Sequence, residues 1–203
     1  MGDVDGPIPN GQVWNMTYAP WDGGYMPSVT YEEIWDRLKY FLERVLPAAE
    51  EGGVELALHP DDPPMPSLRG TPRVVYRPEL YQKLIDLVPS SANKLELCLG
   101  SLQEMQSDRP IYDYLDQYIA QDKISYVHFR NVKGKVPCYD EVFVDEGDID
   151  MFRVLKQLRD GGFQGVLIPD HTPLVTCGAP WHAGMAFARG YMRAAFQMME
   201  KGI

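Results

Sequence analysis

The sequence lacks paired cysteines, long apolar runs and a leader-like start. Its 203 residues include three cysteines, and an odd number of widely spaced cysteines does not indicate a disulfide framework. No run reaches the roughly 18 consecutive apolar residues of a membrane span. Residues 1–11 are acidic and rich in Gly and Pro, without the apolar segment of a signal peptide. These absences favour a soluble chain in a reducing compartment, and we expect it in the cytoplasm.

Positive charge and glycine-rich phosphate loops are also scarce. The formal net charge is -10, and no basic cluster is longer than Lys133-Gly134-Lys135. The chain therefore lacks the cations with which a nucleic-acid surface displaces counterions. Neither a G-x-G-x-x-G motif nor a phosphate-binding loop of the G-x-x-x-x-G-K type is present. We expect no nucleic acid and no membrane among its partners.

What the sequence does contain is a repeated order of helix and strand. Thr30 and Glu33 have the spacing of a capping box, and apolar residues follow at helical period from Ile34 to the glycines at 52–53. A strand-like run comes next, and the same order then recurs three times. The predicted strands are residues 54–59, 95–99, 124–129 and 165–168, and the later helices are residues 78–88, 110–121, 149–159 and 183–200.

Strands joined by single helices predict parallel βα units, so the fold class is α/β. A doubly wound sheet would normally carry a glycine-rich loop after its first strand, so a TIM barrel is favoured. A complete barrel takes roughly 250 residues, whereas the four strands here predict a half barrel in a single domain over 1–203. Residues 1–29 are an irregular segment in this interpretation and 30–203 the βα units. The stretch from Gln12 to Tyr18 is either a fifth strand or, more in keeping with its aromatic neighbours, a packed loop.

One polar side chain stands near the C-terminal end of each predicted strand. Alternate residues of a strand share a face, and inward-facing residues at these ends line the active sites of barrels. The residues so placed are His59, Cys98, His128 and Asp170. Two imidazoles, a thiolate and a carboxylate form a ligand set suited to a divalent transition metal. A single His or Cys here is usually a packing residue, so the agreement of four strands carries the prediction.

Three further residues lie near the same strand ends. Arg130 shares the inward face of His128, where it can bind a substrate carboxylate or pair with Glu55 or Glu96. Asn131 offers a donor and an acceptor to a substrate, or it caps a turn. His171 follows Asp170 directly and is suited to general acid–base chemistry, or else it orients Asp170. These three are the candidate catalytic residues.

Five short motifs occur in order along the chain: HPDDPP at 59–64, CLGS at 98–101, HFRN at 128–131, DEGDIDM at 145–151 and PDH at 169–171. In this combination the chain resembles the mannonate dehydratase family of xylose-isomerase-like TIM barrels, without the N-terminal half of the barrel. The resemblance implies a divalent metal, with Mn²⁺ ahead of Fe²⁺, Co²⁺ or Zn²⁺, on His59, Cys98, His128 and Asp170. It also implies His171 as the catalytic acid or base, with Arg130 and Asn131 facing the substrate.

The activity that the resemblance implies is dehydration of D-mannonate to 2-keto-3-deoxy-D-gluconate. Two alternatives stay open: a xylose-isomerase-like sugar isomerase, and a shortened relative that binds metal without turnover. The second alternative is suggested by the missing half of the barrel and by the absence of tyrosine from residues 172–187, where the family tends to carry one. A half barrel also exposes two sheet edges and an apolar face, which predicts a homodimer or a higher homo-oligomer.

Overall fold

The computed structural model describes residues 13–15, 29–68, 71–173 and 175–202, and it has an α/β architecture. The strands are β1 (Val13–Asn15), β2 (Leu56–Leu58), β3 (Ser67–Leu68), β4 (Thr71–Pro72), β5 (Asn93–Cys98), β6 (Ile124–His128), β7 (Asn131–Lys135), β8 (Cys138–Val142) and β9 (Val166–Ile168). The helices are α1 (Tyr31–Gly52), α2 (Glu79–Leu87), α3 (Leu99–Glu104), α4 (Ile111–Ala120), α5 (Met151–Asp160) and α6 (Pro180–Glu200). Within these ranges, no helix combines the length and the apolar character needed to cross a membrane.

The main sheet has four strands in the order β2, β5, β6, β9, and every neighbouring pair is parallel. At least one helix lies between consecutive strands of this sheet along the chain, so the connections are crossovers. The register places Cys98 beside His128, and His128 beside Ile168. The C-terminal ends of the strands therefore lie side by side, and the predicted parallel α/β sheet is confirmed.

Helix α1 begins and ends where the sequence predicts. The Thr30 hydroxyl accepts the N–H of Glu33 at 3.2 Å, and the Glu33 carboxylate accepts the N–H of Thr30 at 2.8 Å, which completes the capping box. Gly53 ends the helix at φ 63°, a left-handed conformation that glycine adopts without a Cβ clash. The helix continues through Pro47, and its apolar face, with Leu46, is buried in the core.

The core lies between the helices and one face of the parallel sheet. Leu95, Leu97 and Val127 point to that face and are fully buried. On the opposite face Val166 is 62% exposed and Ile168 is 37% exposed. In the described part of the chain, β2 and β9 each pair on one side only. This second face therefore lacks the packing that fills the interior of a complete barrel.

The sequence does not predict the second, antiparallel sheet, whose order is β1, β8, β7. Its hairpin, residues 131–142, follows the end of β6, and the buried Val132 and Tyr139 belong to a small core of their own. Strand β1 pairs with β8, with Val13 beside Asp140. The packed-loop interpretation of Gln12 to Tyr18 is therefore wrong for residues 13–15, which form a strand outside the parallel sheet. The rest of that stretch lies outside the described residues.

Candidate metal centre

Polar side chains from three neighbouring strands meet at the C-terminal end of the parallel sheet. His59 follows β2, Cys98 ends β5 and His128 ends β6. One ligand atom from each of them and a carboxylate oxygen of Glu96 all lie within 4.8 Å of one another. The aligned strand ends thus bring together three of the four residues predicted as metal ligands.

Glu96 is the member of this group that is not predicted as a metal ligand from the sequence. It lies two residues before Cys98 on β5, so both side chains point to the same face of the sheet, and it is fully buried. Its Oε1 accepts the backbone N–H of His128 at 3.2 Å, and its Oε2 lies 3.5 Å from Nε2 of His59. The i, i+2 spacing from a predicted ligand is the signal that identifies it.

Asp170, the fourth predicted ligand, lies beside this group. It comes two residues after the end of β9, and its Oδ2 is 3.3 Å from Nδ1 of His128 and 3.6 Å from Nε of Arg130. Burial acts to raise the pKa of Asp170, but the contact with His128 and the positive charges around it hold that pKa below its ordinary value. Asp170 is therefore an anion at the rim of the group.

Burial and charge act in opposite directions on the Cys98 thiol. Burial alone would raise its pKa, but the Arg130 guanidinium, with Nε 3.2 Å from Sγ, and the contacts with His128 and His59 outweigh it and lower the pKa to about 5. Burial likewise tends to lower the pKa values of the histidines. The contact with Cys98 nevertheless raises the pKa of His59 to about 9, and the contacts with Asp170 and Cys98 raise that of His128 to about 10. Glu96 holds its own proton at neutral pH, because burial raises its pKa to about 8. A metal ion would compete with these imidazole protons for the same nitrogen atoms.

Oε2 of Glu96 is buried and makes no hydrogen bond within the described residues, with Nε2 of His59 3.5 Å away. Buried polar atoms are rarely left unpaired, so this oxygen indicates a ligand at this position. His59 donates Nδ1–H to the carbonyl oxygen of Pro60 at 2.6 Å, which leaves Nε2 directed at the group, as is usual for a metal-binding histidine. The imidazole, thiolate and carboxylate donors fit a divalent transition metal.

We expect the metal-free protein to hold Cys98 as a thiolate at neutral pH. A free thiol has a pKa of about 8.5, whereas the pKa of Cys98 is about 5 in the folded chain. This ionisation therefore stabilises the folded state at alkaline pH, and its contribution is lost as the pH falls through about 5. The parent should absorb more ultraviolet light than Cys98→Ser at neutral pH because of its thiolate, and this difference should disappear as the pH falls through about 5. A midpoint near that of a free thiol would contradict the prediction.

Arg130 does not take the position that the sequence predicts for it. Its side chain is 1% exposed, and its partners all lie within the protein. Nε donates to the sulfur of Cys98, Nη1 to Glu104 and Glu141, and Nη2 to Asp62 and Ser101. A guanidinium has five N–H donors, so none is left for a substrate carboxylate. The prediction that Arg130 faces the substrate is therefore wrong in this structure. Arg130 instead holds residues of the site in place through buried hydrogen bonds.

The position of Arg130 explains two of the sequence motifs. In CLGS, a Cβ on Gly100 would lie 2.6 Å from Cζ of Arg130, so glycine is needed where the guanidinium crosses the chain. In HPDDPP, Asp62 pairs with Arg130 and accepts the hydroxyl of Tyr139 at 3.0 Å. Asp61 instead fastens its loop by accepting two backbone N–H groups, at 2.6 and 2.7 Å. Residues of both motifs therefore hold in place the loops and the Arg130 side chain around the metal group.

Asn131 is also a structural residue, and its predicted contact with substrate does not fit the structure. The side chain is fully buried. Its Nδ2 donates to the carbonyls of Val144 and Ile149, and its Oδ1 accepts the N–H groups of Val132 and Ile149. A Cβ on Gly147 would lie 2.1 Å from Oδ1 of Asn131, which explains the glycine of DEGDIDM. Asn131 thus fastens the loop that follows the hairpin, as the turn-capping alternative predicts.

We expect Asn131→Ala to lower the free energy of unfolding by about 3 kcal/mol. The change leaves four buried backbone groups without their partners, and each unpaired group costs about 1–3 kcal/mol before the chain relaxes. None of these hydrogen bonds involves the metal group, so the folded variant should keep its metal content. Urea unfolding together with metal analysis checks both points. A stability change below about 1 kcal/mol, or a loss of metal from folded protein, would contradict this expectation.

Among the three predicted catalytic residues, His171 is the one whose side chain is accessible to solvent. Its side chain is 41% exposed, with Nδ1 3.0 Å from Oε1 of Glu141 and Nε2 3.6 Å from Oδ1 of Asp170. The hydrogen bond with Glu141 raises the pKa of His171 above its ordinary value, against the effect of burial. One ring nitrogen is thus turned to the protein and the other toward the metal group.

Comparison with known proteins points to one family. The family model for D-mannonate dehydratase (UxuA) matches residues 24–194. The mannonate dehydratase of Lactococcus lactis subsp. cremoris is 32% identical over 183 residues, which cover 86% of this chain and 51% of that protein. The mannonate dehydratase of Geobacillus thermodenitrificans is 37% identical over 151 residues, which cover 72% of this chain and 40% of that protein. The chain spans about half the length of the curated relatives it matches.

Solved structures agree with the predicted half barrel. The crystal structure of mannonate dehydratase from Streptococcus suis serotype2 matches with a TM-score of 0.77 and 30% identity, over 89% of this chain and 54% of that one. A xylose isomerase-like TIM barrel protein from Mycobacterium smegmatis, in complex with magnesium, matches with a TM-score of 0.62 and 15% identity, over 84% of this chain and 53% of that one. The second likeness bears on the fold alone and confirms its xylose-isomerase-like type. With the family model, the sequence relatives and the first structure in agreement, the chain belongs to the D-mannonate dehydratase family.

Proposed function

We propose that the chain catalyses metal-dependent dehydration of a sugar acid, from D-mannonate to 2-keto-3-deoxy-D-gluconate and water. The observation that carries the proposal is the meeting of His59, Cys98 and His128 at aligned strand ends. The partly exposed ring of His171 lies next to Asp170, which contacts His128. Membership of the D-mannonate dehydratase family supports the choice of substrate.

We assign the metal ligands to His59, Cys98, His128 and Asp170, with Mn²⁺ as the proposed ion. Asp170 is the ionised carboxylate at the rim, whereas Oε1 of Glu96 is already engaged by the N–H of His128. A divalent ion held by these residues would supply positive charge that stabilises the negative charge growing on the substrate as C2 loses its proton. A thiolate ligand requires reduced Cys98, so we place the protein in the cytoplasm.

His171 is the proposed proton-transfer group. The reaction removes a hydrogen from C2 and the hydroxyl from C3, and the resulting enol rearranges to the 2-keto product. One proton therefore leaves a carbon atom, and one proton must reach the departing hydroxyl group. The Nε2 atom of His171 lies next to the ligand Asp170, at 3.6 Å from its Oδ1, which puts it within reach of a substrate bound there. His171 is thereby placed to move one of these two protons.

The test is an assay of the purified chain with D-mannonate and Mn²⁺. We expect 2-keto-3-deoxy-D-gluconate to form, and His171→Asn to lower kcat about 100- to 10,000-fold with its metal content unchanged. Arg153→Met, at an exposed position on α5, is the control and should keep full activity. Turnover of neutral aldoses without turnover of D-mannonate would contradict the proposal in favour of an isomerase. Metal binding without either activity would favour a non-catalytic relative.

We propose further that the chain works as a homodimer or a higher homo-oligomer. The exposed Val166 and Ile168 on the open sheet face support this proposal, as do the unpaired sides of β2 and β9 in the described chain. Sedimentation should give a mass of at least twice the 23.1 kDa of one chain. Val166→Lys should shift the protein toward monomer, whereas Met198→Lys, at an exposed position on α6, should not. A monomeric parent would contradict this part.

A further inference from the structure

Glu141 lies between His171 and Arg130 and has no role in the chemistry above. It stands on β8, in the antiparallel hairpin rather than in the parallel sheet. Its side chain is 2% exposed, and its Oε1 lies 3.0 Å from Nδ1 of His171 and 3.4 Å from Nη1 of Arg130. A single buried carboxylate oxygen therefore lies between the partly exposed imidazole and the buried guanidinium.

The contact with Glu141 determines which nitrogen of the neutral His171 ring carries the proton. Oε1 of Glu141 already accepts a hydrogen bond from Nη1 of Arg130, so it is an acceptor, and the nitrogen that faces it at 3.0 Å, Nδ1, must be the donor. Oδ1 of Asp170 lies 3.6 Å from Nε2, which is too long for a hydrogen bond, so Nε2 is the nitrogen with the free lone pair. In histidines of this kind, the hydrogen bond made by one ring nitrogen sets the state of the other.

Arg130 holds Glu141 in place in turn. Its Nη1 donates to Glu104 at 2.9 Å as well as to Glu141, and its Nε donates to Sγ of Cys98 at 3.2 Å. The guanidinium is planar and buried, so it cannot rotate away from Glu141 without breaking its other hydrogen bonds. The orientation of His171 is therefore tied to the group that supports the thiolate.

We propose that Glu141 is a positioning residue that keeps His171 in the Nδ1–H tautomer, with Nε2 turned to the substrate. The proposal deepens the proposed function and rests on it, because it concerns the group that moves the proton. Glu141 is buried and contacts the partly exposed ring of His171, so its effect on the reaction passes through His171. The hairpin thereby contributes a functional residue to a site that otherwise belongs to the parallel sheet.

The direct test is the tautomer of His171, read by long-range ¹H–¹⁵N NMR of histidine-labelled chain. The spectra are taken with Zn²⁺, which is diamagnetic, at a pH where the ring is neutral, and His171→Asn identifies its signal among the four histidines. We expect the Nδ1–H tautomer in the parent and in Glu141→Gln, whose amide oxygen still accepts. Glu141→Leu offers no acceptor and should shift the ring toward Nε2–H. Asp140→Asn, at the exposed neighbour on β8, removes the same charge and should leave the signal unchanged.

Kinetics supply the second readout. With D-mannonate and Mn²⁺, Glu141→Leu should lower kcat about 10- to 100-fold and change KM little, because it disturbs the orientation of a proton-transfer group rather than substrate binding. Glu141→Gln should retain more activity than Glu141→Leu, since it keeps the acceptor. Equal losses of kcat in the two variants would contradict the assignment of the hydrogen bond as the working contact.

An Nε2–H tautomer in the neutral ring of the parent would overturn the proposal, and so would an Nδ1–H tautomer that persists in folded Glu141→Leu. The parent measurement decides the matter even where that variant fails to fold. The NMR readout needs no turnover. A chain that leaves D-mannonate unchanged but shows the expected tautomers would therefore overturn the proposed function and support the role of Glu141 in orienting His171.

Discussion

Arg130→Met should lower the free energy of unfolding by about 3–5 kcal/mol, the usual cost of removing one partner from a buried ion pair. The guanidinium is 1% exposed and faces four acidic groups from three separate segments of the chain. They are Asp62, Cys98, Glu104 and Glu141. Methionine has a similar length but neither charge nor donors, so these groups would remain buried without their shared partner.

The acidic groups around Arg130 outnumber it, and part of their charge is already neutralised by protons. Burial raises the pKa of Glu104 to about 9, against the effect of the nearby guanidinium, so Glu104 holds its proton at neutral pH. Without Arg130, protonation would relieve the other buried charges in the same way. We therefore expect the pKa of Cys98 to rise above about 5 in the variant, with loss of thiolate absorbance at neutral pH.

Urea unfolding of the metal-free proteins measures this effect, and Arg153→Met is its control. Arg153 is exposed on α5 and its guanidinium lies 3.7 Å from the ring centre of Tyr112, an arrangement whose loss should cost less than about 1 kcal/mol. Arg130→Lys keeps the charge but not the five-donor fork, and should fall between the parent and Arg130→Met. If Arg130→Met proved as stable as Arg153→Met, the buried network would not be what holds these segments together.

The strand ends of the site are predictable from the sequence because they depend on local rules. His59, Cys98 and His128 each end or follow an apolar run, and their meeting requires only a parallel sheet with aligned C-terminal ends. The structure brings these three residues together. The same alternation one step earlier on β5 identifies Glu96 as a further inward-facing acid. Sequence spacing alone, however, does not show that its carboxylate reaches the two histidines.

The roles of Arg130 and Asn131 are not predictable in the same way. Their residue types and their position after His128 suit substrate binding, and nothing in the local pattern contradicts it. Their partners come from distant segments, since Asp62 lies 68 residues from Arg130 and Ile149 lies 18 residues from Asn131. Whether a polar side chain beside a site faces a ligand or the protein depends on such contacts, which spacing does not encode.

The hairpin that completes the site, β7 and β8, is not predictable from the sequence for a related reason. The parallel strands are apolar runs, whereas β7 contains two lysines and Gly134, which adopts a φ of 90°. Glycine and lysine are depleted in strands, so this stretch resembles a loop. Its pairing with β8 and β1 depends on the tertiary fold rather than on the local sequence. The same arrangement places Glu141, on β8, next to His171. A residue of functional interest thus lies in the element that the pattern does not reveal.

Cys98→Ala should weaken binding of a divalent metal at least about 100-fold, as should His59→Ala, because each removes a donor atom from the group at the strand ends. Purified without chelator, the parent should carry one ion per chain and the two variants almost none. Cys138→Ala, at an exposed thiol on β8, is the matched control and should retain its metal. A parent that folds without metal would leave the group as an ion cluster of thiolate and imidazolium, and the proposed function would lose its basis.

Two ligand sets are possible, one with Asp170 as the fourth ligand and one with Glu96. The variants Asp170→Asn and Glu96→Gln distinguish between them. If Asp170 is the ligand, Asp170→Asn should lose more metal affinity than Glu96→Gln, and thermal unfolding should show it. An ion at 100 times its Kd adds about 2.7 kcal/mol to the stability of the folded state, so the parent should gain this increment and Asp170→Asn should not. The reverse order would move the fourth ligand to Glu96, whose Oε2 is buried without a hydrogen-bond partner. Asp170 would then be left paired with His128 and close to Nε2 of His171, where it would act on the proton-transfer group rather than on the metal.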